Sequence, residues 1–243
     1  MVSQNIPRPA LFSFEDSSED IERISNKLCS LKIGPLENIL SRHLTDKYIW
    51  PKEFDSDFQV SSSQIRESND VNSLSIPPPR LSAVLVPLIY QDDTLKILFT
   101  LRSPNLRNHS GQISFPGGKK ELNESPNQTA LRETYEEIGV EPDTVSLVGQ
   151  FKHLYTLGMS NLIVPVVGKI TEEINYRLSS EVTEIFTFEI AKLITQDVYS
   201  REVWHFSKTD FRVMHFFKIE DHIIWGATAR IIYDLLDLIA TAS

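Results

Sequence analysis

The spacing of apolar residues changes along the chain, and each change predicts a different element. Between Asp16 and Leu44 the apolar residues recur at three- and four-residue steps, which predicts two short amphipathic helices. Residues 53–79 are instead rich in Ser, Asp and Asn and end in consecutive prolines, a composition that cannot bury enough surface to become ordered. We therefore predict a helical N-terminal extension and linker over residues 1–79, followed by one main domain over residues 80–243.

Apolar and β-branched runs beyond Arg80 predict strands, and a segment near the C-terminus predicts a helix. The first two runs, residues 82–90 and 95–101, flank a short polar stretch with the composition of a hairpin turn. Helical spacing returns over residues 227–240. Further strand-like runs cover residues 145–154, 162–170, 184–188 and 211–219. Together with a central helix these elements predict an α/β fold in which a mixed β-sheet is sandwiched between helices.

The central helix is predicted by signals at both of its ends. Ser125 can serve as the N-cap, Pro126 suits the first helical position, and Gln128 completes a capping box. Gly139 is the expected left-handed terminator, so the helix is predicted to run from about residue 126 to residue 138. A mostly apolar face is predicted to contain Leu131, Thr134, Tyr135 and Ile138.

Three carboxylates project from the other side of this helix within one turn, at Glu133, Glu136 and Glu137. Like charges at that spacing repel one another, and the C-terminal end of a helix disfavours anions. A hard divalent cation such as Mg²⁺ or Mn²⁺ would explain the arrangement, because it takes oxygen ligands and bridges carboxylates to phosphates. The alternative is a solvated acidic face with Arg132 paired to Glu136.

The composition limits the class of ligand and the compartment. The formal net charge of −9 gives no general attraction to nucleic acid or to anionic membranes, and no apolar run approaches the roughly 20 residues of a membrane span. An anionic ligand must therefore meet a local basic cluster, and one lies between Arg102 and Lys120. The single cysteine, Cys29, excludes an internal disulfide and fits a reducing, intracellular compartment.

The stretch from Gly118 to Val140 resembles the Nudix box. That box is a glycine, five residues, a glutamate, seven residues, Arg-Glu, an apolar residue, any residue, Glu-Glu, any residue, a glycine and an apolar residue. The matching residues are Gly118, Glu124, Arg132, Glu133, Glu136, Glu137, Gly139 and Val140. The one departure is Thr134 at the apolar slot, whose methyl can still pack and whose hydroxyl can bond back to a helical carbonyl.

This resemblance implies a metal-dependent hydrolase of diphosphate bonds with a loop–helix–loop site. Glu133 and Glu137 would be the main ligands of Mg²⁺ or Mn²⁺, and Glu136 a further ligand or the base. Glu124 would orient Arg132 or join the metal through water. The family also contains modules that have lost catalysis and only bind, but such modules typically lack box glutamates that are present here.

A second signature precedes the box and resembles that of the coenzyme A diphosphatase subgroup. Its matches are Thr100, Arg102, Ser103, Arg107, Gly111, Phe115, Pro116, Gly117 and Gly118. The resemblance implies cleavage of coenzyme A to 3',5'-ADP and 4'-phosphopantetheine, with acyl or oxidised forms as related substrates. Contacts to this substrate are expected from Arg102, Ser103, Arg107, His109, Gly117 and Gly118.

Several alternatives stay open at this point. Arg102 and Arg107 could instead pair with acidic groups of the central helix, and His109 could be structural. The same metal chemistry could act on oxidised nucleoside triphosphates, ADP-ribose or dinucleotides. The protein could be a monomer or a homodimer, and its compartment peroxisomal or cytoplasmic.

Overall fold

The computed structural model describes residues 6–30, 33–51, 78–91, 94–106, 110–156, 161–171 and 174–242. The helices are α1 (Ser18–Ser30), α2 (Ile33–His43), α3 (Pro126–Ile138) and α4 (Gly226–Thr241). The strands are β1 (Leu11–Glu15), β2 (Arg80–Gln91), β3 (Thr94–Arg102), β4 (Ile113–Ser114), β5 (Gly117–Lys119), β6 (Val145–Gln150), β7 (Leu154–Tyr155), β8 (Asn161–Ile170), β9 (Val182–Glu189), β10 (Tyr199–His205), β11 (Phe211–Ile219) and β12 (His222–Ile224). No helix within these ranges is long and apolar enough to cross a membrane.

A mixed sheet forms the centre of the fold. Its strands follow the order β4-β3-β2-β8-β6, while β5 pairs with β2, β7 with β8 and β9 with β3. The β2–β8 pair is parallel and the other pairs are antiparallel. The predicted hairpin strands pair as expected, with Gln91 opposite Thr94, although residues 92–93 lie outside the described ranges.

The two faces of this sheet are covered by different helices. One face packs α3 against β2 and β8, in a buried cluster that includes Ala83, Val164 and Ile138. The other face packs α1, α2 and α4, whose buried residues include Ile24, Leu40 and Leu235. Burying each such aliphatic side chain contributes about 1.5–3 kcal/mol. The predicted α/β arrangement, a mixed sheet between helices, is confirmed.

A second, antiparallel sheet was only partly predicted. Its order is β1-β10-β11-β12, and the sequence pattern indicated only β11. β10 escapes the pattern because it buries a charged residue: Glu202 is 2% exposed and accepts hydrogen bonds from Arg8 and from Nε1 of Trp204. Arg8 comes from a distant part of the chain, so the burial of Glu202 depends on tertiary structure and the alternation of apolar and polar residues does not reveal the strand.

The two predicted N-terminal helices are present, and both contribute to the core of the main domain. Leu36 and Leu40 of α2 are buried in the same cluster as α4, and β1 extends the second sheet beside β10. Residues 53–77 of the predicted linker lie outside the described ranges. The division of the chain at residues 79 and 80 stays a prediction, although β2 begins at Arg80.

Candidate active site

The ends of α3 follow the predicted signals. Gln128 closes the N-terminal turn, where its Oε1 accepts a hydrogen bond from the backbone N–H of Ser125 at 2.9 Å. Gly139 has φ of 74°, and its N–H donates to the carbonyl of Tyr135 at 2.8 Å. The helix spans Pro126–Ile138, as the sequence predicted.

The buried face of α3 differs from the predicted one. Tyr135 is 40% exposed, so its assignment to the apolar face was wrong. The helix instead lies on β2 and β5 through a shifted face that includes Ala130, Thr134 and Ile138. The hydroxyl of Thr134 donates to the carbonyl of Ala130 at 2.7 Å, so the polar group at the apolar slot of the box is satisfied. Glu137, which was placed on the opposite side, belongs to this buried face.

Glu137 is the most buried carboxylate of the three and the most perturbed. Its Oε2 accepts the backbone N–H of Gly117 at 3.1 Å, and its Oε1 lies 3.5 Å from Nη1 of Arg102. Burial raises the pKa of Glu137 to about 7, although the Gly117 N–H and Arg102 favour the ionised form. The negative charges of Glu133 and Glu181 raise the same pKa further.

Glu133 lies against the backbone of β5. A Cβ added to Gly118 would be 2.5 Å from Oε2 of Glu133, so glycine leaves the space that this carboxylate fills. Burial raises the pKa of Glu133, while Arg132 lowers it and the nearby charges of Glu136 and Glu181 raise it.

Arg132 and Glu124 form a brace beside these carboxylates. Nε of Arg132 donates to Oε1 of Glu124 at 2.7 Å, and Nη2 donates to the carbonyl of Lys119 at 2.9 Å. Nη1 lies 3.1 Å from Oε1 of Glu133 and 3.0 Å from Oε2 of Glu136. The hydrogen bonds from Arg132 hold the pKa of Glu124 down, at about 2. The geometry therefore matches the expectation that Glu124 orients Arg132, and the alternative pairing of Arg132 with Glu136 is present as well.

Glu136 is the most solvated of the three helical carboxylates, with a side chain that is 55% exposed. Its hydrogen bond from Arg132 holds it beside Glu133, which contacts the same guanidinium nitrogen. The three carboxylates therefore form a gradient along one turn, from buried Glu137 through Glu133 to exposed Glu136.

Arg102 reaches the site from the end of β3. It lies 3.5 Å from Glu137 and 3.6 Å from Oε2 of Glu181, distances longer than those of strong charge-assisted hydrogen bonds. Its Nε is buried and has no hydrogen-bond partner among the described residues. Ser103, by contrast, is 4% exposed, and its Oγ accepts a 3.4 Å hydrogen bond from the N–H of Asn105, which gives it a place in the turn after β3. The predicted contacts Arg107 and His109 lie outside the described residues.

Glu181 is an acidic residue of this site that sequence reasoning missed. The loop before β9 satisfies the last carbonyls of α3, since Arg177 N–H donates to Ile138 at 3.0 Å and Ser179 N–H to Glu137 at 2.9 Å. This capping brings Glu181 close enough for its charge to raise the pKa of Glu133 and of Glu137. No spacing within the box points to a residue so far along the chain.

The donor set fits a divalent cation chemically. The charge of Glu181 raises the pKa of Glu133 and of Glu137, and Glu133 also raises the pKa of Glu137, so a positive charge placed among these carboxylates would relieve their repulsion. Among the residues that the structure describes, no three His, Cys, Asp or Glu side chains converge on one point. The oxygen ligands are those that Mg²⁺ or Mn²⁺ prefers.

Carboxylates on a capped helix, an arginine brace and a glycine strand lie beside one another here, an arrangement of the kind that metal-assisted hydrolysis requires. The chain belongs to the Nudix hydrolase family, since the family model described as the NUDIX domain matches residues 79–206. It is therefore an enzyme whose substrates belong to the small diphosphate and nucleotide compounds of that family.

Three curated relatives illustrate the family. "Nudix hydrolase 3" of Caenorhabditis elegans is 32% identical over 176 residues, which cover 65% of this chain and 72% of that protein. "Uncharacterized Nudix hydrolase NudL" of Photorhabdus laumondii is 32% identical over 176 residues, which cover 67% and 90%. "Peroxisomal coenzyme A diphosphatase NUDT7" of Mus musculus is 33% identical over 159 residues, which cover 61% and 66%.

Among solved structures, a C. elegans Ap4A hydrolase binary complex aligns with a TM-score of 0.40 and 18% identity, over 45% of this chain and 80% of that one. A likeness this weak carries no argument about substrate.

Proposed function

We propose that the protein hydrolyses the diphosphate bond of coenzyme A, to 3',5'-ADP and 4'-phosphopantetheine, with Mg²⁺ or Mn²⁺ as the metal. Glu133 and Glu137 would hold the ion with help from Glu136. When bound, such an ion supplies positive charge that activates water and offsets the charge of the departing phosphate.

Other groups of the protein would position the carboxylates that hold the ion. Glu124 holds Arg132 through the 2.7 Å bond, and Arg132 keeps Glu133 and Glu136 beside each other. The backbone N–H of Gly117 donates a hydrogen bond to Oε2 of Glu137 and so fixes the position of that carboxylate. Glu181 adds negative charge on the side of the site facing Arg102, and we propose that it assists in orienting the ion or the attacking water.

The observation that carries the substrate proposal is the position of Arg102. This residue of the second signature lies beside the carboxylates that we propose as metal ligands, with long contacts to Glu137 and Glu181 and a buried Nε that lacks a partner among the described residues. A substrate phosphate oxygen would supply that partner, because guanidinium groups bind phosphate through charge-assisted hydrogen bonds. The mouse relative named as a coenzyme A diphosphatase supports the same substrate.

The test is product analysis with purified protein, Mg²⁺ or Mn²⁺ and four separate substrates: coenzyme A, 8-oxo-dGTP, ADP-ribose and a dinucleotide. We expect metal-dependent release of 3',5'-ADP, with the highest kcat/KM for coenzyme A. Preferential turnover of another substrate would overturn the coenzyme A assignment and leave the metal site intact.

Two variants make the test specific to the site. Glu137→Gln keeps the size of the side chain but removes the charge, and we expect it to lower kcat by about a thousandfold or more. Glu141→Gln is the matched control, because Glu141 follows the same helix, is 54% exposed and contacts Arg177 at the surface. Equal loss in both variants would contradict the proposed role of Glu137.

A further inference from the structure

Trp50 belongs to the N-terminal extension, but its indole is built into the loop before α3. It is 4% exposed and packs in the cluster that contains Ala83 and Ala130. Its Nε1 donates a hydrogen bond to the backbone carbonyl of Glu124 at 2.6 Å. The Nζ of Lys120, in the same loop, lies 5.4 Å from the centre of the indole ring. A residue outside the box therefore contacts the box from a distant part of the chain.

The segment around Trp50 is held against β6 by several contacts. Thr45 and Gln150 exchange two backbone hydrogen bonds, of 3.2 and 2.8 Å. Nε2 of Gln150 donates to the carbonyl of Ile49 at 3.1 Å. Leu44 lies so close to β6 that a Cβ on Gly149 would be within 3.0 Å of it. These contacts place the indole of Trp50 at the box loop.

The loop that Trp50 contacts is tightly turned and contains Glu124, one of the two residues of the brace. Asn123 has φ of 64°, in the left-handed region, and the N–H of Glu121 donates to Oε2 of Glu124 at 2.9 Å. The carboxylate of Glu124 binds Arg132, which in turn contacts Glu133 and Glu136. Since Trp50 binds the backbone of Glu124, it determines where the first member of this chain of contacts lies.

We propose that Trp50 is a positioning residue of the active site, which acts through Glu124 and Arg132 on the helical carboxylates. This assigns the N-terminal extension a role in the family's reaction. The proposal rests on the hydrolase activity of the family and is independent of coenzyme A being the substrate.

The first test measures hydrogen–deuterium exchange of the metal-free protein, which does not depend on any substrate. Trp50→Phe keeps an aromatic ring and removes the indole N–H, and we expect amide exchange over residues 119–129 to accelerate by about tenfold. The matched control is Trp204→Phe. Trp204 is fully buried and its Nε1 donates to Glu202 at 2.7 Å, so the control loses a similar bond in the second sheet. It should leave exchange over residues 119–129 unchanged.

A second control tests whether general loosening of the extension explains the effect. Gln150→Leu removes the bond to Ile49 and leaves the indole bond to Glu124 in place. Because the two backbone hydrogen bonds between Thr45 and Gln150 still hold the segment against β6, we expect exchange over residues 119–129 to stay near the wild-type rate in this variant. Equal acceleration in all three variants, or none in Trp50→Phe, would overturn the proposal.

The kinetic test uses whichever diphosphate the wild-type enzyme cleaves. For Trp50→Phe we expect kcat at saturating metal to fall about tenfold with little change in KM, because the carboxylates are displaced and substrate contacts are kept. A rise in KM alone would contradict a positioning role. Should Trp50→Phe fail to fold, the wild-type protein still decides: the indole N–H of Trp50, relative to its exchange rate in an unfolded chain, must be protected at least as strongly as the amides of Glu121 and Thr129, and weaker protection would overturn the proposal.

Discussion

Gly118→Ala separates the function of the site from the stability of the fold. The new Cβ would be 2.5 Å from Oε2 of Glu133, whereas ordinary contact begins at 3.4 Å, so the carboxylate must move by about 1 Å. The backbone at Gly118 is not in the left-handed region, and the displaced group is the end of a flexible side chain. We therefore expect the free energy of unfolding to change by less than about 1 kcal/mol, and kcat to fall by about a hundredfold.

Steady-state kinetics and urea unfolding of the same preparation would measure the two effects. Gly226→Ala is the control with the opposite expectation. Gly226 has φ of 68°, and a Cβ added there would meet no described atom within 4 Å, so alanine would cost about 1 kcal/mol of backbone strain with kcat unchanged. Wild-type kcat in Gly118→Ala would refute the reasoning, as would a loss of stability large enough to explain the lost activity.

Three further changes test other groups. Arg102→Lys keeps the charge but loses the guanidinium fork, so KM should rise about tenfold in steady-state assays, and an unchanged KM would argue against a phosphate contact. Glu124→Gln should lower kcat by about tenfold, because Arg132 loses its charged acceptor, and unaltered turnover would remove the brace from the mechanism. His215 is buried against Tyr199, and burial lowers its pKa to about 3, so the unfolded state alone gains a proton as the pH falls below 6.5. The free energy of unfolding of the wild type relative to His215→Phe should therefore be constant above pH 6.5 and fall by about 1.4 kcal/mol per pH unit between pH 6.5 and about 3, as measured by urea unfolding of both proteins; an identical pH dependence in the two proteins would contradict the assignment.

Local features of the chain were predicted well because they depend on neighbours a few residues away. The bounds of α3 follow from Ser125, Pro126 and Gly139, and the back-bond of Thr134 follows from helix geometry. The contact between Glu124 and Arg132 spans eight residues within one loop and helix. The family and its box were therefore recognisable from the sequence alone.

Tertiary structure decided what the helix faces and which distant groups join it. Glu137 lies on the buried side of α3 because β2 and β5 pack against that side. Periodicity alone had placed Tyr135 on the buried face instead. Glu181 reaches the site because its loop caps the end of α3, and Trp50 because its segment is held against β6. Contacts between residues so far apart leave no period in the sequence. The sequence thus determined helix α3 and the box residues that it carries, while long-range packing decided the burial of those residues and the partners that surround them.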